Sequence, residues 1–264
     1  MNQMISQIVK ATKEDLLIKK KTIPLAELMV TARSVSSQST FQKSIEDGFD
    51  LKKIGFIAEI KLSSPTAKDL GDKESIVPRA LDYEQSLVDA ISIITEPHFF
   101  NGHTAFVTNV KEKVSVSILQ KDFVVDEYQI FESKVIGADA LLLIVKLVDL
   151  ETLQYFVDQA LSLGIEPVVE INDQEDLQKA LQTNTRVIAV NARDLDTFTV
   201  DIDKACLLLQ QIPDEYLRLG FSGIQSSREV QKYKDAGAKG VLVGTNLMKV
   251  TDVQSSIKEL RNVH

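Results

Sequence analysis

The chain has 264 residues, of which 44% are hydrophobic and 26% are charged, and its formal net charge is -8. This composition excludes an intrinsically disordered chain, because disordered segments lack the apolar residues needed to build a core. The negative charge argues against a nucleic-acid-binding surface, since such surfaces carry an excess of Lys and Arg. A chain of this length fits either one large α/β barrel or two modest domains.

Cysteine and histidine are scarce, which excludes two further classes of site. The single cysteine, Cys206, rules out an intramolecular disulfide, and three scattered histidines do not suggest a metal site. Cys206 lies in the apolar run "KACLLLQ", where we expect it to pack in the interior. No apolar run approaches the roughly 20 residues of a membrane helix, and residues 1–21 show no signal-peptide pattern. These features predict a cytoplasmic location, with neither a membrane nor a nucleic acid as partner.

Short apolar runs recur along the sequence and alternate with segments of helical periodicity. The helical segments include "DEYQIFESKVIGA" and "DLETLQYFVDQALSLG", each long enough for one crossover helix. The pattern therefore predicts eight strands, at residues 54–60, 90–95, 114–119, 140–145, 166–171, 186–191, 217–222 and 240–244.

Strands that alternate with helices predict a parallel sheet, because parallel neighbours require a crossover connection. Eight such units fit an α/β fold of the (β/α)8 TIM-barrel type, which typically needs about 250 residues. A doubly wound open sheet is the alternative, but "KLSSPT" stands where that fold more often has a Gly-rich loop. Residues 1–50 contain amphipathic helical patterns and no linker, so we expect 1–264 to form one domain with extra N-terminal helices.

Polar residues follow nearly every predicted strand, and a barrel brings such residues to one rim. Glu59 and Lys61 continue the alternation of Ile57, so all three are expected to face the interior. Taken alone, Glu59 and Lys61 could instead form an isolated ion pair that serves only the structure. Charged residues after other strands weaken that alternative and favour an anionic substrate handled by acid and base groups. These residues are Lys121, Glu170 and Arg193.

The last two predicted strands carry a phosphate-type signal. "FSGI" follows strand seven and "VGTNLM" follows strand eight, and their glycines let backbone N–H groups approach an anion. Each fragment alone is a common turn sequence. Together, in the last two repeats of a barrel, they predict a phosphate site.

The motifs in this order resemble the indole-3-glycerol-phosphate synthase family, from about residue 50 onward. The resemblance is carried by "IAEIKLSSPT", "IITEPHFFNG", "LQKDFVVDEYQI", "DALLLIV", "PVVEIND", "VIAVNARDLDTFTVD", "FSGI" and "GVLVGTNLM". It implies a cofactor-free, metal-free barrel whose small-molecule substrate is an anthranilate carrying an open-chain deoxyribulose 5-phosphate. The implied reaction closes the indole ring with loss of carbon dioxide and water.

The resemblance also implies roles for individual residues. Lys121 would be the general acid that activates the ketone, and Glu170 would assist later proton transfers. Glu59 and Lys61 would polarise and orient the reacting centre. The implied binding residues are Ser64, Asn191 and Arg193 for the anthranilate, and Ser222, Gly223, Gly244 and Thr245 for the phosphate.

The sequence departs from the family pattern at several positions. The family has glutamate where this chain has Phe221, and Leu62 and Ala192 replace residues that are usually polar. Gly102 and His103 stand where the family has Gly-Ser, so His103 is a candidate replacement for a lost acid or base, although it reads more simply as a loop residue.

Three alternatives to an active synthase stay open. The first is a paralogue that acts on a related anthranilate sugar, and the second is a barrel that binds the ligand without turnover. The third is phosphoribosylanthranilate isomerase, which would share the phosphate loops but is not expected to carry the "E-x-K-x-x-S-P" motif.

Overall fold

Eight parallel strands form the centre of the molecule. The computed structural model describes residues 3–36, 38–65 and 67–263. Each strand pairs with the next in chain order and β1 pairs with β8, which closes the sheet into a barrel and confirms the predicted fold class. The strands are β1 (Gly55–Ile60), β2 (Ala90–Ile94), β3 (Ser117–Lys121), β4 (Ala140–Ile144), β5 (Glu166–Ile171), β6 (Val187–Asn191), β7 (Leu217–Phe221) and β8 (Gly240–Val243).

Helices precede the barrel and connect its strands. Before β1 lie α1 (Gln3–Thr22), α2 (Leu25–Ser34) and α3 (Phe41–Lys52). Among the residues that the structure describes, no helix has both the length and the apolar character needed to cross a bilayer. The later helices are α4 (Ile76–Gln85), α5 (Ala105–Lys111), α6 (Glu127–Val135), α7 (Leu150–Ser162), α8 (Gln174–Ala180), α9 (Ile202–Leu209), α10 (Ser227–Asp235), α11 (Thr245–Lys249) and α12 (Val253–Leu260).

The strands are apolar on both faces because each face is covered. In β4, Leu142 belongs to the cluster inside the barrel, together with Ile57 and Leu119. Leu141 and Leu143 belong to the cluster between the sheet and the helices. Successive side chains of a strand point to opposite faces, so a sheet buried on both sides yields a continuous apolar run in the sequence.

Side-chain caps fix where several helices begin, and therefore where the loops above the strands end. At the start of α6 the Asp126 carboxylate accepts from the Tyr128 backbone N–H. Ser226 and Glu229 form a capping box at the start of α10. Replacing such a cap by alanine typically costs about 1 kcal/mol. The other helices with an acidic side-chain cap begin after Asp149, Asp173, Asp201 and Asp252.

Helix α3, the last of the N-terminal helices, closes the amino end of the barrel. Phe41 and Ile45 are fully buried in the inner cluster. A Cβ atom on Gly55 or Gly240 would lie 2.6 or 2.7 Å from the Ile45 Cγ2 atom. Glycine at the first residue of β1 and of β8 therefore makes room for the helix.

Helix α1 lies at the opposite end and is held there by polar contacts. Its Ile5 and Ile8 side chains join the inner cluster. Lys19 pairs with Glu132 at 2.7 Å, and Asp15 lies 2.8 Å from the Nε2 atom of His98 in the loop after β2. The N-terminal extension thus covers both ends of the barrel.

The predicted limits of strand three are wrong, by three residues at its start and two at its end. The pattern placed this strand at 114–119, whereas β3 spans Ser117–Lys121. Gln120 is polar but buried, and its amide donates to the Thr95 hydroxyl at 3.1 Å. Because Gln120 is polar, it does not continue the apolar run from which the strand was predicted. The predicted strand therefore ended at residue 119, before the true end of β3.

Candidate active site

A cavity of about 910 Å³ opens at the carboxyl ends of the strands. The sequence predicted eleven site residues, and the structure places all of them in its lining. They are Glu59, Lys61, Ser64, Lys121, Glu170, Asn191, Arg193, Ser222, Gly223, Gly244 and Thr245. Side chains separated by up to 186 positions meet here because parallel strands all end at the same rim.

The end of β1 supplies a close ion pair. Lys61 Nζ lies 2.6 Å from Glu59 Oε1, and the two side chains are 14% and 4% exposed. Burial raises the pKa of Glu59, but the nearby positive charges of Lys61, Lys121 and Arg193 outweigh it, so the pKa lies below its usual value. Glu59 is therefore a carboxylate at neutral pH.

Gly244, at the end of β8, packs directly against that carboxylate. A Cβ atom at position 244 would collide with the Glu59 carboxylate group. The requirement for glycine here is therefore steric. It lets the loop after β8 approach the charged pair of β1, which brings the predicted phosphate residues next to the predicted catalytic ones.

A second charged pair spans β3 and β5. Lys121 Nζ lies 3.8 Å from Glu170 Oε2, which is too long for a hydrogen bond. Glu170 is 1% exposed, and its Oε1 atom accepts from Asn191 Nδ2 at 3.0 Å. Its Oε2 atom is buried without a hydrogen-bond partner among the described residues. A buried carboxylate oxygen without a partner is costly, so this atom is available to a bound ligand or water.

Asn191 and Arg193 extend the site along the loop after β6. Asn191 Oδ1 accepts from the Arg193 backbone N–H at 3.0 Å. The Arg193 guanidinium donates to the Phe198 carbonyl at 3.0 Å, and no carboxylate of the described chain lies within ion-pair distance of it. It is a positive group held in place mainly through the backbone, which suits the binding of an external anion.

Asn172 supports this loop and was missed by the sequence analysis. Its side-chain amide donates at 2.9 Å to the carbonyls of both Asn191 and Arg193. Asn172 follows β5 in the motif "PVVEIND". Nothing in the sequence indicates that its partners are the carbonyls at the end of β6 and in the loop that follows. Its role is to position the neighbouring strand end.

The loop after β1 contributes Ser64 and Pro65 to the cavity. Ser64 and Ala67 exchange backbone hydrogen bonds at 2.7 and 3.2 Å, which folds the loop back on itself. Thr66, the last residue of the quoted motif, lies outside the described residues.

The loops after β7 and β8 form the predicted phosphate end. Ser222 and Gly223 have φ angles of 71° and 81°, and this left-handed backbone turns the chain sharply after β7. The Tyr233 hydroxyl donates to the carbonyls of Phe221 and Ser222, at 2.9 and 3.0 Å. Asn246 Nδ2 donates to the Gln225 carbonyl at 3.1 Å and ties the two loops together.

Several apolar residues of the lining were not predicted from the sequence. Leu142, Ile144 and Leu242 come from strands, whereas Ile5 and Ile8 come from helix α1. Patterning marks them as core residues, and only the closed barrel shows that they also face the cavity. Together they form an apolar wall against which an aromatic ring can pack.

The family departures have different structural consequences. Phe221 lies in the cavity lining and is 1% exposed. Leu62 and Ala192 are buried in the outer apolar cluster, away from the cavity. His103 is exposed, and its Nδ1 atom accepts from the Ala105 backbone N–H at 3.0 Å, so it acts as a loop cap outside the cavity.

Other titratable groups lie outside the site. The thiol of Cys206 is partly buried and contacts the Lys232 carbonyl at 3.5 Å, as expected for a packing residue. Glu96 is fully buried, and its carboxylate accepts from the backbone N–H groups of the loop after β2. Residues 3–36, 38–65 and 67–263 contain no cluster of three or more potential metal ligands.

Solved structures share the fold at low sequence identity. A 3-hexulose-6-phosphate synthase from Salmonella typhimurium matches with a TM-score of 0.63 and 17% identity, over 79% of this chain and 97% of that one. A tryptophan synthase alpha-subunit from Pyrococcus furiosus matches with a TM-score of 0.61 and 17% identity, over 78% and 97%. At this identity the likeness shows the fold alone.

Sequence comparison is more specific. The family model for indole-3-glycerol phosphate synthase matches residues 5–260. The indole-3-glycerol phosphate synthase of Aliarcobacter butzleri is 34% identical over 263 residues, covering 98% of both chains. That of Caldanaerobacter subterraneus is 36% identical over 260 residues, covering 98% of this chain and 99% of its own. The chain therefore belongs to the indole-3-glycerol phosphate synthase family.

Proposed function

We propose that the cavity carries out the ring closure of its family. The substrate is 1-(2-carboxyphenylamino)-1-deoxyribulose 5-phosphate, and the product is indole-3-glycerol phosphate, with loss of carbon dioxide and water. One observation carries the proposal. Lys121, Glu170 and the Glu59–Lys61 pair face a single cavity that is large enough for a substrate of this size.

Lys121 is the proposed general acid. Ring closure requires a proton on the ketone oxygen as the aromatic carbon attacks, and an ammonium group in the cavity can supply it. Lys121 is not locked in a short hydrogen bond, since its nearest carboxylate oxygen is 3.8 Å away. Its ammonium group is therefore free to turn towards a bound ketone.

Glu170 is the proposed group for the later proton transfers, and Glu59 with Lys61 is proposed to polarise and orient the reacting centre. Carbon dioxide leaves from the carboxylate without release of a proton. The later loss of water requires one proton to leave the intermediate and one proton to reach the leaving hydroxyl group. The unpartnered Oε2 atom of Glu170 is available for that transfer. Glu59 is held ionised by three cations, and its partner Lys61 can polarise the reacting centre.

The two anionic ends of the substrate are assigned to different parts of the lining. Arg193, with Asn191 and Ser64, would hold the anthranilate carboxylate, because no carboxylate of the described residues pairs with its guanidinium. The backbone and hydroxyl groups of the last two loops would hold the phosphate. These groups belong to Ser222, Gly223, Gly244 and Thr245.

The direct test is an assay of indole-3-glycerol phosphate formation with the wild-type protein and Lys121→Ala. We expect wild-type turnover, and a loss of about 10²- to 10⁴-fold in kcat for the variant, as is typical for removal of a general acid. Binding of inorganic phosphate should not change. Lys232→Ala is a matched control, because Lys232 pairs with Asp203 on the outer surface.

Three results would contradict the proposal. Absence of wild-type turnover together with tight substrate binding would indicate a binding protein. Normal turnover by Lys121→Ala would remove Lys121 from the acid role. An equal loss in Lys232→Ala would show that the effect is not specific to the cavity.

We also propose a cytoplasmic location and a single functional domain for residues 1–264. An unpaired, partly buried thiol is consistent with a reducing compartment. Helices α1 and α3 contribute side chains to the inner cluster, which supports one domain rather than a separate N-terminal unit.

A further inference from the structure

Lys249 is a cation of the cavity lining that the proposed mechanism does not use. Among the described residues, the lining has four cations, Lys61, Lys121, Arg193 and Lys249. The first three are assigned to the reacting centre and to the anthranilate carboxylate. Lys249 pairs with no carboxylate of the described chain, and it is exposed. An exposed residue of the lining lies at the opening of the cavity, where a ligand enters.

The position of Lys249 on α11 directs its side chain towards the predicted phosphate residues. Thr245 is the first residue of this helix and Lys249 is the last. Residues four apart lie on the same face of a helix, and side chains lean towards the helix N-terminus. The Lys249 side chain therefore extends along the face that carries Thr245.

The helix that carries Lys249 is held in place by contacts with α4. Met248 is buried, and its sulfur accepts a hydrogen bond from the Tyr83 hydroxyl at 3.6 Å. The carbonyl of Val250, just beyond the helix, accepts from the Arg79 guanidinium at 3.2 Å. Because the backbone is anchored on both sides of Lys249, only its side chain has to adjust when a ligand binds.

The other groups assigned to the phosphate are neutral, although a phosphate monoester carries a charge of about -1.5 to -2 at pH 7. They belong to Ser222, Gly223, Gly244 and Thr245. Helix α11 has five residues, so few peptide dipoles are aligned towards this end. Lys61 is close to Gly244 through its partner Glu59, but that carboxylate at 2.6 Å balances its charge.

We propose that Lys249 is a phosphate-binding residue, whose ammonium group supplies the positive charge that the neutral groups of the last two loops lack. A lysine ammonium is a compact charge with three donors, which suits a phosphate group. Because Lys249 is exposed, its contribution should be screened by salt. This inference rests on the proposed function, since it takes the substrate phosphate to lie at these loops.

The test uses two reduced ligands that cannot undergo ring closure and that differ only in the phosphate. One is 1-(2-carboxyphenylamino)-1-deoxyribitol 5-phosphate, and the other is the same compound without its phosphate group. Their dissociation constants are measured by calorimetry at low ionic strength for the wild-type protein and for Lys249→Gln, Lys249→Glu and Lys249→Arg. Lys258→Glu is a matched control, because Lys258 is an exposed lysine of the next helix, α12, outside the cavity lining.

We expect Lys249→Gln to weaken binding of the phosphorylated ligand by about fivefold, a modest loss because solvent screens an exposed charge. Lys249→Glu should weaken it by roughly 20-fold, since the new carboxylate repels the phosphate. Lys249→Arg keeps the charge and should stay within about twofold of wild type. The ligand without phosphate should bind all variants within about twofold of wild type, which a purely structural role of Lys249 would not produce.

Several outcomes would overturn the inference. Equal weakening of both ligands in Lys249→Gln would assign the effect to packing of the loop. Unchanged binding of the phosphorylated ligand by Lys249→Glu would exclude Lys249 from phosphate binding. A loss in Lys258→Glu as large as in Lys249→Glu would assign the effect to the net charge of the protein.

Wild-type turnover of the unreduced substrate, measured in parallel, separates this inference from the proposed function. Absence of turnover together with Lys249-dependent binding of the phosphorylated ligand would contradict the proposed function alone. Normal turnover together with binding that does not depend on Lys249 would contradict this inference alone.

Discussion

The two ends of the barrel use buried charges differently. At the amino end, Asp89 accepts from the Phe56 backbone N–H at 2.8 Å and pairs with Lys52 at 2.8 Å and Arg261 at 2.7 Å. Asp139 likewise accepts a hydrogen bond from the Ile118 backbone N–H and pairs with Lys111. These carboxylates have their hydrogen-bonding capacity met by the protein itself.

At the carboxyl end the charges are left incompletely paired. The nearest cation to Glu170 is 3.8 Å away, one of its oxygens has no hydrogen-bond partner among the described residues, and Arg193 has no carboxylate partner there. Such groups reduce the stability of the fold. A buried polar atom without a partner has lost its hydrogen bonds to water and has formed none with the protein. The comparison therefore separates an end that holds the barrel together from an end prepared for an anionic ligand.

The largest effect on stability is expected from Asp89→Ala at the amino end. The change leaves two cations and a buried backbone N–H without their acceptor, and breaking a buried ion pair typically costs about 3–5 kcal/mol. Urea unfolding would measure the free energy of unfolding. The kcat of the folded protein should not change. Asp203→Ala is the control, since Asp203 is exposed and its pair should contribute little. Equal losses in both variants would contradict the assignment.

Gly244→Ala tests the carboxyl end, with activity as the sensitive quantity. The added methyl group would displace the Glu59 carboxylate. A displacement of about 1 Å in a catalytic group can cost roughly 100-fold in rate, so we expect a loss of that order in kcat/KM. Gly71→Ala is a milder control, because the nearest atom to its Cβ would be 3.0 Å away and is the end of the flexible Ser75 side chain. Full activity of Gly244→Ala would contradict the steric requirement.

Glu166→Gln tests a third carboxylate of the amino end. Glu166 forms no ion pair with any cation among the residues that the structure describes. Burial, with the charge of Glu46, raises the pKa of Glu166 to about 7. The unfolded chain, with a pKa near 4.5, releases this proton first as the pH rises, so the protein loses stability between about pH 4.5 and pH 7. The glutamine variant should therefore be more stable than wild type by about 1–2 kcal/mol at pH 8 and nearly equal at pH 4. A gain that is the same at both pH values would exclude titration of Glu166 as its cause.

The smallest effect is expected from Asn246→Ala, which removes the hydrogen bond between the two loops of the phosphate end. Asn246 donates to the Gln225 carbonyl at 3.1 Å. Loss of a partly exposed hydrogen bond costs about 1 kcal/mol, so we expect a roughly fivefold increase in KM with little change in kcat. A change in kcat without a change in KM would place Asn246 in the reaction instead of in phosphate binding.

The predicted site residues converge because the rule behind them depends on topology alone. Once strands and helices alternate, the ends of parallel strands must share a rim, so Lys121, Glu170 and Arg193 could be assigned to one cavity without knowing any distance. The same reasoning could not predict hydrogen bonds between the ends of neighbouring strands, because periodicity does not indicate which groups form them. Asn172 holds the carbonyl groups of the next strand end, and no sequence pattern indicates such a contact.

The alternation of strands and helices, the barrel and the chemical character of its rim could be predicted from the sequence, because they follow from periodicity and from residue type at strand ends. Only the folded chain shows that helix α3 fills the amino end and that Ile5 and Ile8 of α1 join the cavity. Packing between distant segments depends on shape and direction in three dimensions. A linear pattern records only which face of its own element each side chain occupies.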